Sequence, residues 1–355
     1  MNSVIAFFKK PFIRKYANYI VIALLTAAFG VLSAGGSLKM GTQFLLEQMA
    51  IAILLAVSLG MVVGFLGELS LGHAGFMCIG AYVGGKVAAV LVAAMGGDES
   101  NFVALLAAIL VGGALAALFG FIIGLPALRL RGDYLAIVTL AFGEIIRNVV
   151  MNLPAGWFGG VLGLETPRFD RKLLFVVALI MVLACLAVTQ NLMRSKHGRA
   201  IISIKDNEIA ARAMGIDVTK YKLFVFTVSS FFAGVAGALY SYTQARVQYT
   251  TFDYNYSIEI LVMVVLGGMG SINGSILAAA LITFINVKLQ TILTGNLSVL
   301  QQVIYALILI LIVIYRNAPG LKGFREKYNL QTLWTKLFGK KAATENDAKE
   351  EQTNG

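Results

Sequence analysis

The sequence predicts an all-α protein that crosses a membrane about eight to ten times, and three observations carry that prediction. First, 58% of the 355 residues are hydrophobic and 13% are charged, with a mean hydropathy of +0.81, outside the range of ordinary soluble domains. Second, the apolar residues fall in runs of roughly twenty, the length of a helix through hydrocarbon, and in lipid only helices and closed barrels satisfy their own backbone. Third, the segments 1–18, 126–133, 191–222 and 316–341 hold 20 of the 29 Lys and Arg, the pattern of connections on the cytoplasmic side. The net charge of +11 therefore marks sidedness, and nothing in it calls for nucleic acid.

Taken in order, residues 1–18 are a basic cytoplasmic segment, and an uncleaved first span follows over 19–36. The second covers 44–66, with Glu47 near its outer end. Residues 64–85 hold seven glycines along with Ser70 and His73, so a helix end is expected near Gly67 and a restart near Gly72. GGDESN at 96–101 forms an outer loop, and a span over 102–125 ends at Pro126 and the basic LRLRGD. The next span, 134–151, carries Glu144 and Arg147 three residues apart on one helical face. A polar outer connection at 152–171 leads to a span over 172–190. Beyond the basic connection come a Gly-, Ser- and Ala-rich span at 222–246, a short apolar piece at 257–266 and a run at 276–293. A last span at 298–315 and a basic tail from 317, its acidic end disordered, place both termini on the cytoplasmic side.

Two Gly/Ser interruptions, at 67–75 and 267–275, lie in opposite halves of the chain. Such a pair points to internal duplication, with a solute pathway where the halves meet. The pathway candidates are Ser70, Gly72, His73 and Gly75 in the first break and Gly267, Gly268, Gly270 and Ser271 in the second. Breaks of this kind expose helix termini to a small zwitterion, or they let helices pack closely, and both readings stand. His73 likewise lines a pathway or makes a local hydrogen bond. Glu144 and Arg147 read as a structural ion pair, with solute contact as the alternative.

The connection from Lys196 to Gly215 is a polar, basic interruption between apolar spans. Asp206 is expected to cap a helix of about two turns over 207–214, with Glu208 in its first turn and Gly215 as its stop. Its apolar face would carry Ile209, Ala210, Ala213 and Met214. A helix this short is marginal in water. It needs a groove, on this chain or on a partner.

Catalytic chemistry finds little support. The two histidines, His73 and His197, have no nucleophile and acid in a catalytic pattern, and paired carboxylates are missing. Cys78 and Cys185 sit in apolar runs and read as small fillers, so neither a disulfide nor a metal cluster is expected. Gly80 to Lys86 has phosphate-loop spacing, but Val87 replaces the magnesium-binding hydroxyl and the segment is helical. No cofactor is expected.

Four phrases converge on a family. LSLGHAGFMCIGAYV (69–83), LRLRGDYLAIVTLAFGEIIRN (128–148), GRAIISIKDNEIAARAMGIDVTKYKL (198–223) and LGGMGSINGSILAAAL (266–281) together resemble the permease subunits of branched-chain amino acid ABC importers, most of all the LivM type. The resemblance implies a multi-pass subunit of a bacterial inner membrane that pairs with a related second permease, two cytoplasmic ATPases and an extracytoplasmic binding protein. It also implies that 194–220 is the ATPase-coupling loop, with Asp206, Glu208, Ala210, Ala211, Arg212 and Gly215 as its residues. Ile209 intervenes between Glu208 and the two alanines, and no Leu-Pro follows, which departs from the usual pattern of such loops. The same architecture serving urea or an amide is one alternative, and an ion-coupled secondary carrier is another.

Overall fold

The structure, a computed structural model, describes residues 40–97, 100–130 and 132–292, with 303, 304, 306, 307 and 310 beyond them. The expected span at 19–36, nearly all of that at 298–315, and both terminal segments lie outside the described residues. The chain divides into a unit through Lys288 and a second from Leu289.

Among the described residues, seven helices are long and apolar enough to cross a membrane. They are α1 (Met40–Gly60, continued by a wider π-helical turn, Met61–Leu66), α2 (His73–Ala94), α3 (Phe102–Ala127), α4 (Asp133–Asn152) and α5 (Arg171–Arg194). The short α6 (Lys196–Asp206) and α7 (Glu208–Ala213) follow, then the long α8 (Val218–Thr243), the shorter α9 (Tyr254–Gly267) and the long α10 (Ile272–Ile292). This is an all-α, multi-pass membrane protein. Starts are set by side chains that accept from first-turn amides: Asn101 for α3, Asp170 for α5, Ser195 for α6, Asp217 for α8 and Asp253 for α9. The polar outer connection also holds β1 (Leu164–Glu165), paired antiparallel with β2 (Arg246–Val247). A two-residue ladder leaves no alternation to detect in a sequence.

The core is a seam of small residues. Hydrophobic burial does not pull helices together in lipid, so close approach of backbones must do so. On α3, Gly112, Ala116, Gly120 and Gly124 recur every fourth residue and are all buried, forming one smooth stripe. A Cβ on Gly80 of α2 would collide with the backbone carbonyl of Gly234 on α8. One on Gly112 would come within 2.9 Å of the Gly80 carbonyl, and one on Gly84 within 2.9 Å of that of Ala108. Thus α2, α3 and α8 meet with no room for side chains between them.

These contacts also fix direction. Gly80 and Gly84 of α2 lie beside Gly234 and Ala238 of α8, and Phe76 stacks edge-on to Phe226 at 5.5 Å, so α2 and α8 run parallel. Gly124 near the end of α3 abuts Leu223 near the start of α8, so the basic turn after α3 shares an end of the molecule with the hairpin formed by α6 and α7. Glu47, expected near the outer end of its span, is fully buried in α1. Its helix packs against both α5 and α8, so a residue near the helix end is covered by neighbouring helices before it reaches the surface. Cys78 and Cys185 are buried free thiols, as expected.

Replacing Gly80 by Leu is expected to cost about 1–3 kcal/mol through overpacking and to lower the Tm of the detergent-solubilised protein. Gly156→Ala, where an added methyl meets nothing within 4 Å, should leave the Tm unchanged.

Candidate functional site

The most informative region lies where the short helices α6 and α7 meet the end of α1. Ser195 starts α6 by accepting from the amides of His197 and Gly198, each at 3.2 Å. Asp206 is its last residue, and Asn207 caps α7 by accepting from the Ala210 amide at 3.0 Å. The expected cap at Asp206 is therefore displaced by one residue. Asn207 has an extended backbone (φ −158°, ψ 102°) while Asp206 remains helical, and only a residue outside the helix can turn its side chain back onto the first amides. Gly215 ends the unit with φ +81°, and the Ile216 amide donates to the Ala211 carbonyl at 3.1 Å, a left-handed stop suited to glycine.

The hairpin carries its apolar face outward. Ala211 is buried against the protein, whereas Ile209 and Met214 are 74% and 83% exposed, and Ala210 and Ala213 are exposed beside them. Arg212 is exposed on the same short helix and pairs with Glu208 at 2.9 Å. Of the two grooves left open by the sequence, one on this chain does not take this face among the described residues.

Beneath α7 sits Lys222, 3% exposed, in the second turn of α8. Its ammonium is paired with Glu68, just past the end of α1, and lies 3.0 Å from Glu208. One buried cation thus joins three elements. Removing one partner of a buried ion pair typically costs ~3–5 kcal/mol, against ~0.3–0.5 kcal/mol for an exposed pair such as Glu208 and Arg212 one turn apart. Lys222 is the stronger tie. A second tie runs parallel to it: the Lys205 ammonium donates to the Gly64 carbonyl at 2.7 Å.

The first Gly/Ser break lies immediately beyond. The π turn ends at Gly67 (φ +82°), and α2 restarts at His73 after Gly72, as the sequence predicts. Within it the Leu71 amide donates to the Thr139 hydroxyl of α4 at 3.0 Å, and the Ala74 amide to the Ser257 hydroxyl of α9 at 3.2 Å. Gly72 rests on the Thr139 carbonyl and Gly75 on Gly143, each 2.6 Å from where a Cβ would stand. His73 is buried, its Nε2 2.8 Å from the Ser58 hydroxyl of α1. Ser70 is buried too, and its hydroxyl has no hydrogen-bond partner.

The second break packs against the π turn of α1. Gly268 and Gly270 have φ of +99° and +84°, and a Cβ on Gly64 would come within 2.7 Å of the Gly270 nitrogen. Gly267 is buried against Ser275, and Ser271, exposed, opens α10 by accepting from the Gly274 amide at 3.2 Å. Between α1 with its π turn and the second break, among Val57, Gly60, Phe65, Gly270, Ser271 and Ser275, a gap of about 10 Å³ remains. That holds no more than about one water. The structure sets the second break against the π turn of α1, where Gly64 meets Gly270, and sets the first-break candidates Gly72, His73 and Gly75 against Thr139, Ser58 and Gly143.

Glu144 and Arg147 stand apart on α4, 2.7 Å from each other. Sequence reasoning passed over Lys222, Lys205, Thr139 and Ser257. For Lys222 a signal was present: it lies on one helical face with Val218, Val225 and Phe226, all buried, so its side chain had to enter the protein.

Comparison with known proteins agrees with the geometry. A family model described as the permease component of branched-chain amino acid transport systems matches residues 41–313. The chain is 34% identical over 294 residues to the high-affinity branched-chain amino acid permease protein LivM of Escherichia coli K12, covering 74% of this chain and 66% of that protein, just under two thirds of its length. It is 27% identical over 336 residues to the ribose import permease RbsC of the same organism, covering 88% and 96%. A probable LivM of Methanocaldococcus jannaschii is 25% identical over 268 residues, covering 67% and 78%. No solved structure matches.

Asn207→Ala is expected to destabilise α7 by about 1 kcal/mol through loss of its cap, seen as faster hydrogen exchange at the Ala210 amide. Asp206→Ala, at a helix C-terminus where an acid opposes the dipole, should leave that exchange unchanged.

Proposed function

The chain belongs to the branched-chain amino acid transport permease family, and on that premise we propose that it is the membrane-spanning permease subunit of an ATP-driven importer for leucine, isoleucine and valine. In this reading it lies in a bacterial inner membrane with both termini and the hairpin of α6 and α7 on the cytoplasmic side. It pairs with a second, related permease, takes solute from an extracytoplasmic binding protein, and is driven by two cytoplasmic ATPase subunits. The chain itself supplies no nucleotide chemistry.

The observation that carries this reading is the outward apolar face of α7. Its six residues are too few to hold together alone. They are held instead by the Asn207 cap, the buried Ala211 and the ion pair to Lys222. Ile209 and Met214 are then left for a partner. A short rigid helix gripped by a motor subunit can pass on a rigid-body movement, because the spans on either side must follow it. The membrane path then need only open to alternate sides, and selectivity rests mainly with the binding protein.

A second reading, the same machine with another small solute, is favoured by the likeness to a ribose import permease. Urea or an amide belongs to the same alternative. Competition against labelled leucine uptake separates them: excess isoleucine or valine should suppress uptake, and ribose, urea or an amide should not. An ion-coupled carrier would take up solute with no ATPase present.

The direct test is copurification of the ATPase subunits. Ile209→Asp is expected to abolish capture of the ATPases and ATP-driven uptake while the chain remains inserted, since the side chain touches little of its own protein. Gly215→Val, strained by about 1–2 kcal/mol at a positive φ, should reduce both. Full capture by Ile209→Asp would remove the basis for the docking role.

A further inference from the structure

Three features set the inference. The cation of Lys222 holds carboxylates from two separate elements, Glu208 on the docking helix and Glu68 after the break in α1. The residue before Glu68 is Gly67, left-handed and exposed, and the Lys205 side chain packs against it, 2.8 Å from where a Cβ would stand. Lys205 on α6 holds the Gly64 carbonyl, and Gly64 is the residue that closes against Gly270 of the second break.

We propose that the pair Glu68–Lys222, with Lys205 on Gly64 beside it, is the joint that carries movement of the docking helix to the contact of the π turn of α1 with the second break. The proposal rests on the reading of α7 as the ATPase-docking helix. Lys222 and Glu68 act as positioning residues: they meet neither solute nor nucleotide.

The physical reason is directional stiffness. Apolar contacts slide, because dispersion depends little on orientation. A buried ammonium between two carboxylates cannot slide without leaving a charge unpaired in a poor dielectric. When α7 moves, Glu208 either draws Lys222 with it or loses it. If Lys222 follows, Glu68 follows, and the pull reaches Gly64 through Gly67 and the Lys205 side chain packed against it. For the gap of about 10 Å³ to widen, Gly64 and Gly270 must separate, and the Lys205 bond acts on the first of these. The small-residue seam of α2, α3 and α8 gives the joint a rigid frame to work against, since its backbones have no slack to absorb the motion.

A merely structural ion pair would behave differently. Its loss would lower stability and assembly together, and transport per ATP would be unchanged in whatever complex remained. The joint predicts the opposite split.

The complete transporter, with both permeases, both ATPases and the binding protein, is reconstituted in vesicles, and leucine uptake and ATP hydrolysis are measured in the same preparation. Glu68→Gln, which keeps the side-chain shape and removes the charge, is expected to leave ATPase capture and hydrolysis within about twofold of the parent while uptake per ATP falls about tenfold, or ~1.4 kcal/mol of coupling. Lys222→Arg, which keeps the cation, should retain a ratio within about twofold of the parent. A parent-like ratio in Glu68→Gln overturns the proposal. So does a loss of ATPase capture in that variant, which would assign the pair to holding α7 in place. A parent complex that captures no ATPase or takes up no leucine refutes the functional reading itself, and the joint with it.

Discussion

A chain that turns between two packed helices must have its freed backbone groups satisfied by other parts of the protein wherever neighbouring helices shut water out. The break between Leu66 and His73 meets this demand with side chains from three different helices. Lys205 of α6 takes the Gly64 carbonyl, Thr139 of α4 takes the Leu71 amide, and Ser257 of α9 takes the Ala74 amide. Each bond contributes only about 1 kcal/mol net, but an unmet amide or carbonyl in this setting costs several kcal/mol. The break therefore determines where α4, α6 and α9 stand. Anything that moves one of these three side chains acts directly on the break.

The neighbouring spans α2, α3 and α8 are packed through glycine. The seam of α2, α3 and α8 is made by removing side chains: Gly80 against Gly234, Gly112 against Gly80, and Gly237 against Met77. Such contact has no slack, because each added methyl would meet backbone. Around the break the glycines serve another purpose. Gly67, Gly268 and Gly270 all adopt positive φ, conformations that other residues reach only at a cost of 1–2 kcal/mol. Turning and close packing adjoin there, since Gly72, Gly75 and Gly267 lie against backbone, and the proposed gate lies where Gly64 meets Gly270.

Much of this was legible in order of residues. The described spans followed from apolar runs, and the break from glycine density, with its ends at Gly67 and Gly72. The stop at Gly215 was legible because only glycine ends a helix so readily. The cap was misread by one residue, since Asp206 and Asn207 are both good caps by composition and only the backbone angle at Asn207 decides between them. The burial of Glu47 was not legible, because it depends on the neighbouring helices and not on position along the span. Sequence also left open whether the apolar face of α7 turns inward or outward, and the structure turns it outward by burying Ala211.

By itself the sequence determined the class of the protein, the course of its spans, the end at which its basic connections gather and the family to which it belongs. These are local quantities, set by runs of like residues and by glycine, proline and charge at particular positions. Only the tertiary structure decided that Lys222 faces both Glu68 and Glu208, that Lys205 reaches Gly64, and that the π turn of α1 meets the second break at Gly64 and Gly270. Those partners lie far apart in the chain, and no periodicity couples them. They come together because helices packed through glycine approach closely enough for a buried charge or a free carbonyl to find a partner on another helix.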